Sequence, residues 1–141
     1  MIALASDHAG YNYKERLKAL LESLSLSYKD FGTAGIESVD YPDYAHAAAD
    51  AVSRGECDRG LLICGTGIGV SIVANKHKGI RAAACESTAA AVLSRKHNDA
   101  NVLCIGERLI SWETAEQIIR IFLSTPFEGG KHERRIKKIE L

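Results

Sequence analysis

Leu61-Leu62-Ile63-Cys64-Gly65-Thr66-Gly67-Ile68-Gly69-Val70-Ser71 joins an apolar run, a cysteine and a glycine-rich turn. Gly60 to Ile63 is too short and too uniformly apolar for an amphipathic helix. It reads as a strand buried on both faces, the kind found in parallel sheets. Gly65, Gly67 and Gly69 allow close approach of backbone to a ligand and positive φ. From Ile68 to Lys76 the apolar spacing turns helical, with Ile68, Ile72 and Val73 on one side. A strand, a glycine turn and a helix start together make an anion site, because free N–H groups point outward and the helix dipole adds positive character. Cys64 stands at the rim of that field, where an activated thiol is expected.

Three nucleotide and phosphate motifs fail on this stretch. Gly-Lys-Ser/Thr is missing, so it is no Walker A loop. Val70 stands where a G-x-G-x-x-G dinucleotide loop needs glycine. The same valine replaces the arginine of a Cys-x5-Arg phosphatase loop. The plain alternative is a tight turn with a buried structural cysteine.

Working outward, the strands and helices alternate. Ile2 to Ala5 is a strand that ends at Ser6-Asp7-His8. Tyr11 to Leu24 is a helix with Tyr13, Leu17, Leu20, Leu21 and Leu24 at helical spacing. Leu26 to Phe31 is a second strand, less buried on one face. Pro42 suits the first turn of an alanine-rich helix ending near Gly55. After the opening stretch come a strand from Gly79 to Cys85 and a helix from Thr88 to about Lys96, capped by Ser87. A strand follows from Asn101 to Ile105, then a helix capped by Ser111 and stopped by Thr125-Pro126. A last, basic helix begins near Gly130. The pattern predicts one α/β domain over residues 1–141, its parallel sheet covered on both faces. Ligands of such sheets bind outside the carboxyl ends of the strands. Asp7-His8, Cys64-Gly65-Thr66 and Glu107-Arg108 all follow strands, so one rim collects them.

Bulk properties exclude several classes. Among 141 residues, eighteen basic and eighteen acidic side chains cancel, so no global field draws nucleic acid or membrane. No apolar run reaches the length of a membrane span, and Met1-Ile2-Ala3 enters a strand directly without a signal peptide. The four cysteines, 57, 64, 85 and 104, include no Cys-x-x-Cys pair, which argues against a zinc ribbon or redox pair and for reduced cytoplasmic thiols.

The remaining candidates each have a bland reading beside the chemical one. Asp7 could cap the first helix. His97 could merely favour a helix C-terminus. Lys131 and Arg135 share a helix face and form either a solvated patch or a phosphate clamp. Together they offer a thiol base, an anion cradle with the Thr66 hydroxyl, a histidine and a basic helix, with no metal-ligand spacing. Proton transfer on a small phosphorylated substrate fits that set best.

At this point the chain resembles the type-B ribose-5-phosphate isomerases and their sugar-phosphate isomerase relatives. The runs that carry the resemblance are Ser6-Asp7-His8-Ala9-Gly10, Asp40-Tyr41-Pro42, Cys64-Gly65-Thr66-Gly67-Ile68-Gly69, Ala74-Asn75-Lys76, Gly79-Ile80-Arg81-Ala82, Ser94-Arg95-Lys96-His97-Asn98 and Gly129-Gly130-Lys131-His132. The resemblance implies a Rossmann-like three-layer α/β/α sandwich with a five-stranded parallel sheet. It implies a homodimer or homotetramer with shared active sites, and no cofactor or metal. By the same resemblance Cys64 is the base between sugar carbons 1 and 2. Thr66 and the N–H groups from Gly65 through Gly67 and Gly69 to Ser71 hold the enediolate. His97 opens the ring, Asp7 and Asn98 meet sugar hydroxyls, and Tyr41 lies with the substrate. His8, Arg108, Lys131 and Arg135 surround the phosphate. Some members carry a glutamate base just after the glycine turn; Val70 puts this chain with the cysteine-base type. Lys131 stands where the family often has arginine, which loses the bidentate fork. Allose 6-phosphate and galactose 6-phosphate are alternative substrates, and a non-catalytic sugar-phosphate sensor is the alternative class. The pair His97-Asn98 speaks for the ribose enzyme, and retention of Cys64 with His97 speaks against the sensor.

Overall fold

The computed structural model describes residues 1–141. Five strands form one parallel sheet: β1 (Ile2–Ser6), β2 (Tyr28–Asp30), β3 (Arg59–Cys64), β4 (Ala82–Ala84) and β5 (Val102–Gly106). Their order across the sheet is β2-β1-β3-β5-β4, all parallel. Six α-helices connect and cover them: α1 (Tyr11–Ser23), α2 (Tyr41–Ser53), α3 (Ile68–Ala74), α4 (Thr88–Asn98), α5 (Trp112–Ser124) and α6 (Lys131–Lys137). A short 3-10 turn, His8–Gly10, leads from β1 into α1.

The sheet separates two cores because successive strand side chains point to opposite faces. On one face Ile2, Leu4, Leu61, Ile63, Leu103 and Ile105 pack with Leu17, Leu20 and Leu21 of α1, Ala91 of α4 and Ile118, Ile119 and Phe122 of α5. On the other, Ala3, Ala5, Leu62, Cys64 and Cys104 meet the alanine face of α2 and Val70, Val73 and Ala74 of α3. This is the expected three-layer α/β/α arrangement. The small side chains of the second face let α2 lie close on the sheet.

The expected helix caps form. Ser87 Oγ accepts from Ala90 N–H, Ser111 Oγ accepts from Thr114 N–H, and Pro42 occupies the first turn of α2. The strands expected from Leu26 to Phe31 and from Gly79 to Cys85 shrink to three residues each. Both lie at sheet edges, where one side lacks a partner and pairing stops early. A second correction concerns α3. Ile68 and Ile72 do not face the core; they are 52% and 58% exposed, and Val70, Val73 and Ala74 are buried instead. Apolar residues surround this helix, so spacing alone does not choose its buried side. No helix is long and apolar enough to cross a membrane.

The strand order changes direction between β1 and β3. The chain leaves β1 toward β2 on one side, then returns across β1 to β3 and continues toward the other edge. The carboxyl ends of β1 and β3 therefore flank a topological switch point, where α/β sheets open a crevice for ligands.

Candidate active site

The glycine turn is held in shape by its own backbone and by the extension of β5. Cys64 O accepts from Glu107 N–H at 2.9 Å, and Gly65 O accepts from Arg108 N–H at 3.0 Å. Gly67 has φ of +77°, a conformation that disfavours any side chain. Gly106 is required for a different reason: a Cβ there would lie 2.5 Å from the carbonyl carbon of Thr66. The turn thus rests directly on β5.

Cys64, the last residue of β3, is 5% exposed. Its Sγ accepts from Gly67 N–H at 3.2 Å, which aims a positive dipole at the sulfur. Burial pushes Cys57, Cys85 and Cys104 above the usual thiol value, Cys104 most of all. They pack as small apolar groups.

Not every N–H between Gly65 and Ser71 is free. Gly67 donates to Cys64, Ile68 donates to Thr66 Oγ1 at 3.2 Å, and Ser71 donates to Gly67 O. The Ser71 hydroxyl donates to Ile68 O. The N–H groups of Gly65, Thr66, Gly69 and Val70 have no acceptor in the chain. The expected cradle is therefore narrower than the whole turn, and the Ser71 N–H does not belong to it.

Other expected residues gather on this rim. Asp7 does cap the turn after β1: its Oδ1 accepts from Ala9 and Gly10 N–H, which leaves Oδ2 unspent. His8 Nδ1 accepts from Val39 N–H at 3.1 Å, so its Nε2 carries the free face of the ring. Tyr41 packs its ring on Gly69, where a Cβ would come within 2.6 Å of Cε1. The Arg108 guanidinium lies over Gly65, with Nη1 3.2 Å from the position of a Cβ there.

Glu107, which the sequence places on this rim without a role of its own, holds the fold together there. Its carboxylate accepts from Tyr13 N–H at 2.7 Å and so caps α1 from across the fold. Burial raises the Glu107 carboxyl above its ordinary value, the Tyr13 bond opposes this, and neighbouring Asp7 adds to the rise. This cap holds the α1 entrance beside Asp7 and His8.

His97, Asn98, Lys131 and Arg135 lie elsewhere. α4 starts beyond the carboxyl end of β4 and runs back, so His97 and Asn98 at its end stand near the amino end of β5. Arg59, the first residue of β3, donates to Phe122 O near the end of α5, and Glu128 N–H donates to Lys96 O. The first bond ties the α5 end to the amino end of the sheet, and the second ties the stretch before α6 to the α4 end. Cys64 sits at the opposite end, one strand length of about 16 Å away. Within one chain the two halves of the expected set do not meet. A residue not singled out from the sequence joins the second half: His132 stacks on His97, ring centroids 4.3 Å apart and planes 12° apart.

A parallel α/β sandwich with a thiol and free N–H groups at its switch point has the form of a site for a small anionic substrate. Comparison with known proteins supplies the class. The family model described as Ribose/Galactose Isomerase matches residues 2–139. Ribose-5-phosphate isomerase B of Escherichia coli (strain K12) is 46% identical over 138 residues, covering 98% of this chain and 93% of its own. A ribose-5-phosphate isomerase B structure from Clostridium thermocellum superposes with a TM-score of 0.96 at 50% identity, covering 98% of this chain and 93% of that one. A Mycoplasma genitalium ribose-5-phosphate isomerase B with bound ribulose-5-phosphate gives a TM-score of 0.94 at 42% identity, covering 98% and 92%. The chain belongs to the ribose/galactose isomerase family. It is a sugar-phosphate isomerase.

Proposed function

We propose that this enzyme interconverts D-ribose 5-phosphate and D-ribulose 5-phosphate through an enediolate, with Cys64 as the base. The observation that carries the reading is the Cys64 thiol beside a turn whose Gly65, Thr66, Gly69 and Val70 N–H groups are unspent. The substrate named for the Escherichia coli relative and the ribulose-5-phosphate in the Mycoplasma structure support the sugar.

In this reading His97 protonates the ring oxygen as the bond from C1 to the ring oxygen breaks, the O1 hydroxyl gives its proton to water, and the aldehyde forms. The Cys64 thiolate then takes the proton from C2. The electron pair of that C–H bond becomes the C1–C2 double bond, and the carbonyl electrons move onto O1. The free N–H groups and Thr66 stabilise the oxyanion, an effect worth several kcal/mol in a water-excluded site. The thiol returns its proton to C1, and the O2 hydroxyl proton passes to O1, leaving the ketose. Asp7 and Asn98 hold hydroxyls; His8, Arg108, Lys131 and Arg135 hold the phosphate, with Tyr41 closing over the turn.

One chain separates Cys64 from His97 by the length of the sheet, so the same reading assembles each site from two protomers. The exposed Ile68 and Ile72 on α3, beside the glycine turn, support an interface there. A twofold contact brings the rim of one protomer to the α4–α6 end of its partner, twice. A homodimer, alone or paired into a tetramer, satisfies this. The test of substrate is turnover across ribose, allose and galactose phosphates. Ribose 5-phosphate should give the highest kcat/KM; a clear preference for a six-carbon phosphate would overturn the assignment.

A further inference from the structure

The stacked pair at the amino end of the sheet has an unused capacity. One ligand atom each from His97, Glu128 and His132 lie within 4.8 Å of one another. Neither imidazole makes a hydrogen bond within the chain, and the Glu128 carboxylate comes only to 3.6 Å from His132 Nε2. All three donors are therefore available. Two segments supply them: the end of α4, and the continuous stretch from Glu128 to His132 that leads into α6. Glu128 N–H on Lys96 O ties that stretch to α4.

We propose that His97, Glu128 and His132 form a site for a borderline divalent cation of the zinc class. Two imidazoles and one carboxylate, with no sulfur, suit such an ion, and three protein donors leave a position open to water. Zinc–ligand bonds of about 2 Å need the donors drawn closer than they stand. Near-parallel rings aim their lone pairs side by side, so one ring must swing. His97 is the less buried of the two and has the room; His132 is 8% exposed and serves as the fixed donor. Lys131 and Arg135 on the same helix oppose a cation. The Glu128 charge must offset them, so its loss should weaken binding more than loss of a neutral donor. A bound ion occupies the nitrogen of His97 that ring opening needs. Binding stands on this geometry alone, whereas inhibition rests on the role given to His97 above.

The test uses the full-length enzyme with Co2+ as the spectroscopic probe and Zn2+ as competitor. One Co2+ per chain should bind with a visible spectrum free of thiolate charge transfer, and Zn2+ should displace it. Glu128→Gln, at an exposed position, should weaken binding at least about tenfold, and His132→Gln should weaken it as well. Cys64→Ser and His46→Gln should not; the latter breaks the surface His46–His77 contact of 2.8 Å, the other histidine pair that could attract the probe. A thiolate spectrum, or unchanged affinity in Glu128→Gln, would overturn the site. Zn2+ should inhibit wild-type isomerisation and should do so about tenfold less effectively in Glu128→Gln, whose activity without metal stays near normal. Saturated binding with undiminished activity would leave the site standing and count against His97 as the ring opener.

Discussion

The two ends of the sheet are built in opposite ways. At the carboxyl end the candidate site is built round backbone: free N–H groups on a turn pressed against β5, with the buried Cys64 thiol beside them. At the amino end it comes from side chains on helix ends, with His97, Lys131 and Arg135 projecting from α4 and α6. Backbone geometry is set by the strands and tolerates little change. Long side chains on helix ends adapt, and they gain purpose only when something faces them. The difference explains why the first end looks like a site in isolation and the second does not.

The strongest way to sharpen this contrast is to remove the thiol. Cys64→Ala should lower kcat by roughly a hundred- to ten-thousand-fold, as expected for loss of a general base, with the thermal midpoint nearly unchanged. Activity close to wild type would break the assignment of the carboxyl end.

His97→Ala should cost less overall and should discriminate between substrates. Loss should be large on ribose 5-phosphate, which is mostly cyclic, and small on an aldose phosphate too short to close a ring. Equal losses on both would contradict the division of labour between the ends.

Gly106→Ala tests how tightly the turn rests on β5. The new Cβ meets the Thr66 backbone at 2.5 Å, so the cradle must shift. Overpacking of this sort costs about 1–3 kcal/mol, and kcat should fall more than phosphate affinity does. Unchanged kcat with lowered stability would show that the cradle geometry is not critical.

Phosphate anchoring at the amino end should show in KM. Arg135→Ala should raise KM for ribose 5-phosphate strongly and leave free ribose unaffected. Lys131→Arg should be tolerated or improve binding, since it restores a fork. Silence of both Lys131→Arg and Lys131→Ala would make that lysine ordinary surface.

The smallest effect concerns stability away from both ends. Burial would raise the Asp30 carboxyl, but hydrogen bonds from Lys14, Lys18 and Gly32 N–H outweigh it and hold the group below its ordinary value. A depressed folded value contributes stability above the ordinary carboxylate range. That contribution is lost as pH falls through the folded value. Urea midpoints of wild type should therefore drop more between about pH 5 and pH 2 than those of Asp30→Asn.

The carboxyl end was legible in the sequence because strand ends and glycines are local signals. Cys64 ends a strand, Asp7 and Arg108 come just after strands, and parallel topology alone puts them on one rim. Fine detail within that rim was not legible. Whether the Ser71 N–H was free depended on helix geometry, and the Glu107 cap on Tyr13 joins residues 94 positions apart. The amino end was harder still. Nothing local links His132 to His97, and their stacking follows from how α6 docks on α4. The separation of Cys64 from His97 followed in principle from the direction of α4, which runs antiparallel to the strands. The helix spacing of α3 misled because apolar residues surround it, and a surface that includes Ile68 and Ile72 resembles a core face.

The two ends of the sheet should work together only across two chains. Cys64→Ala and His97→Ala proteins, each inactive, should be mixed under conditions that exchange subunits, and heterodimers verified. One site in each heterodimer then carries both defects and the other carries none, so activity should return to about half of the wild-type value per heterodimer, as a twofold contact requires. No recovery in a sample shown to contain heterodimers would place Cys64 and His97 in the site of a single chain and contradict the account.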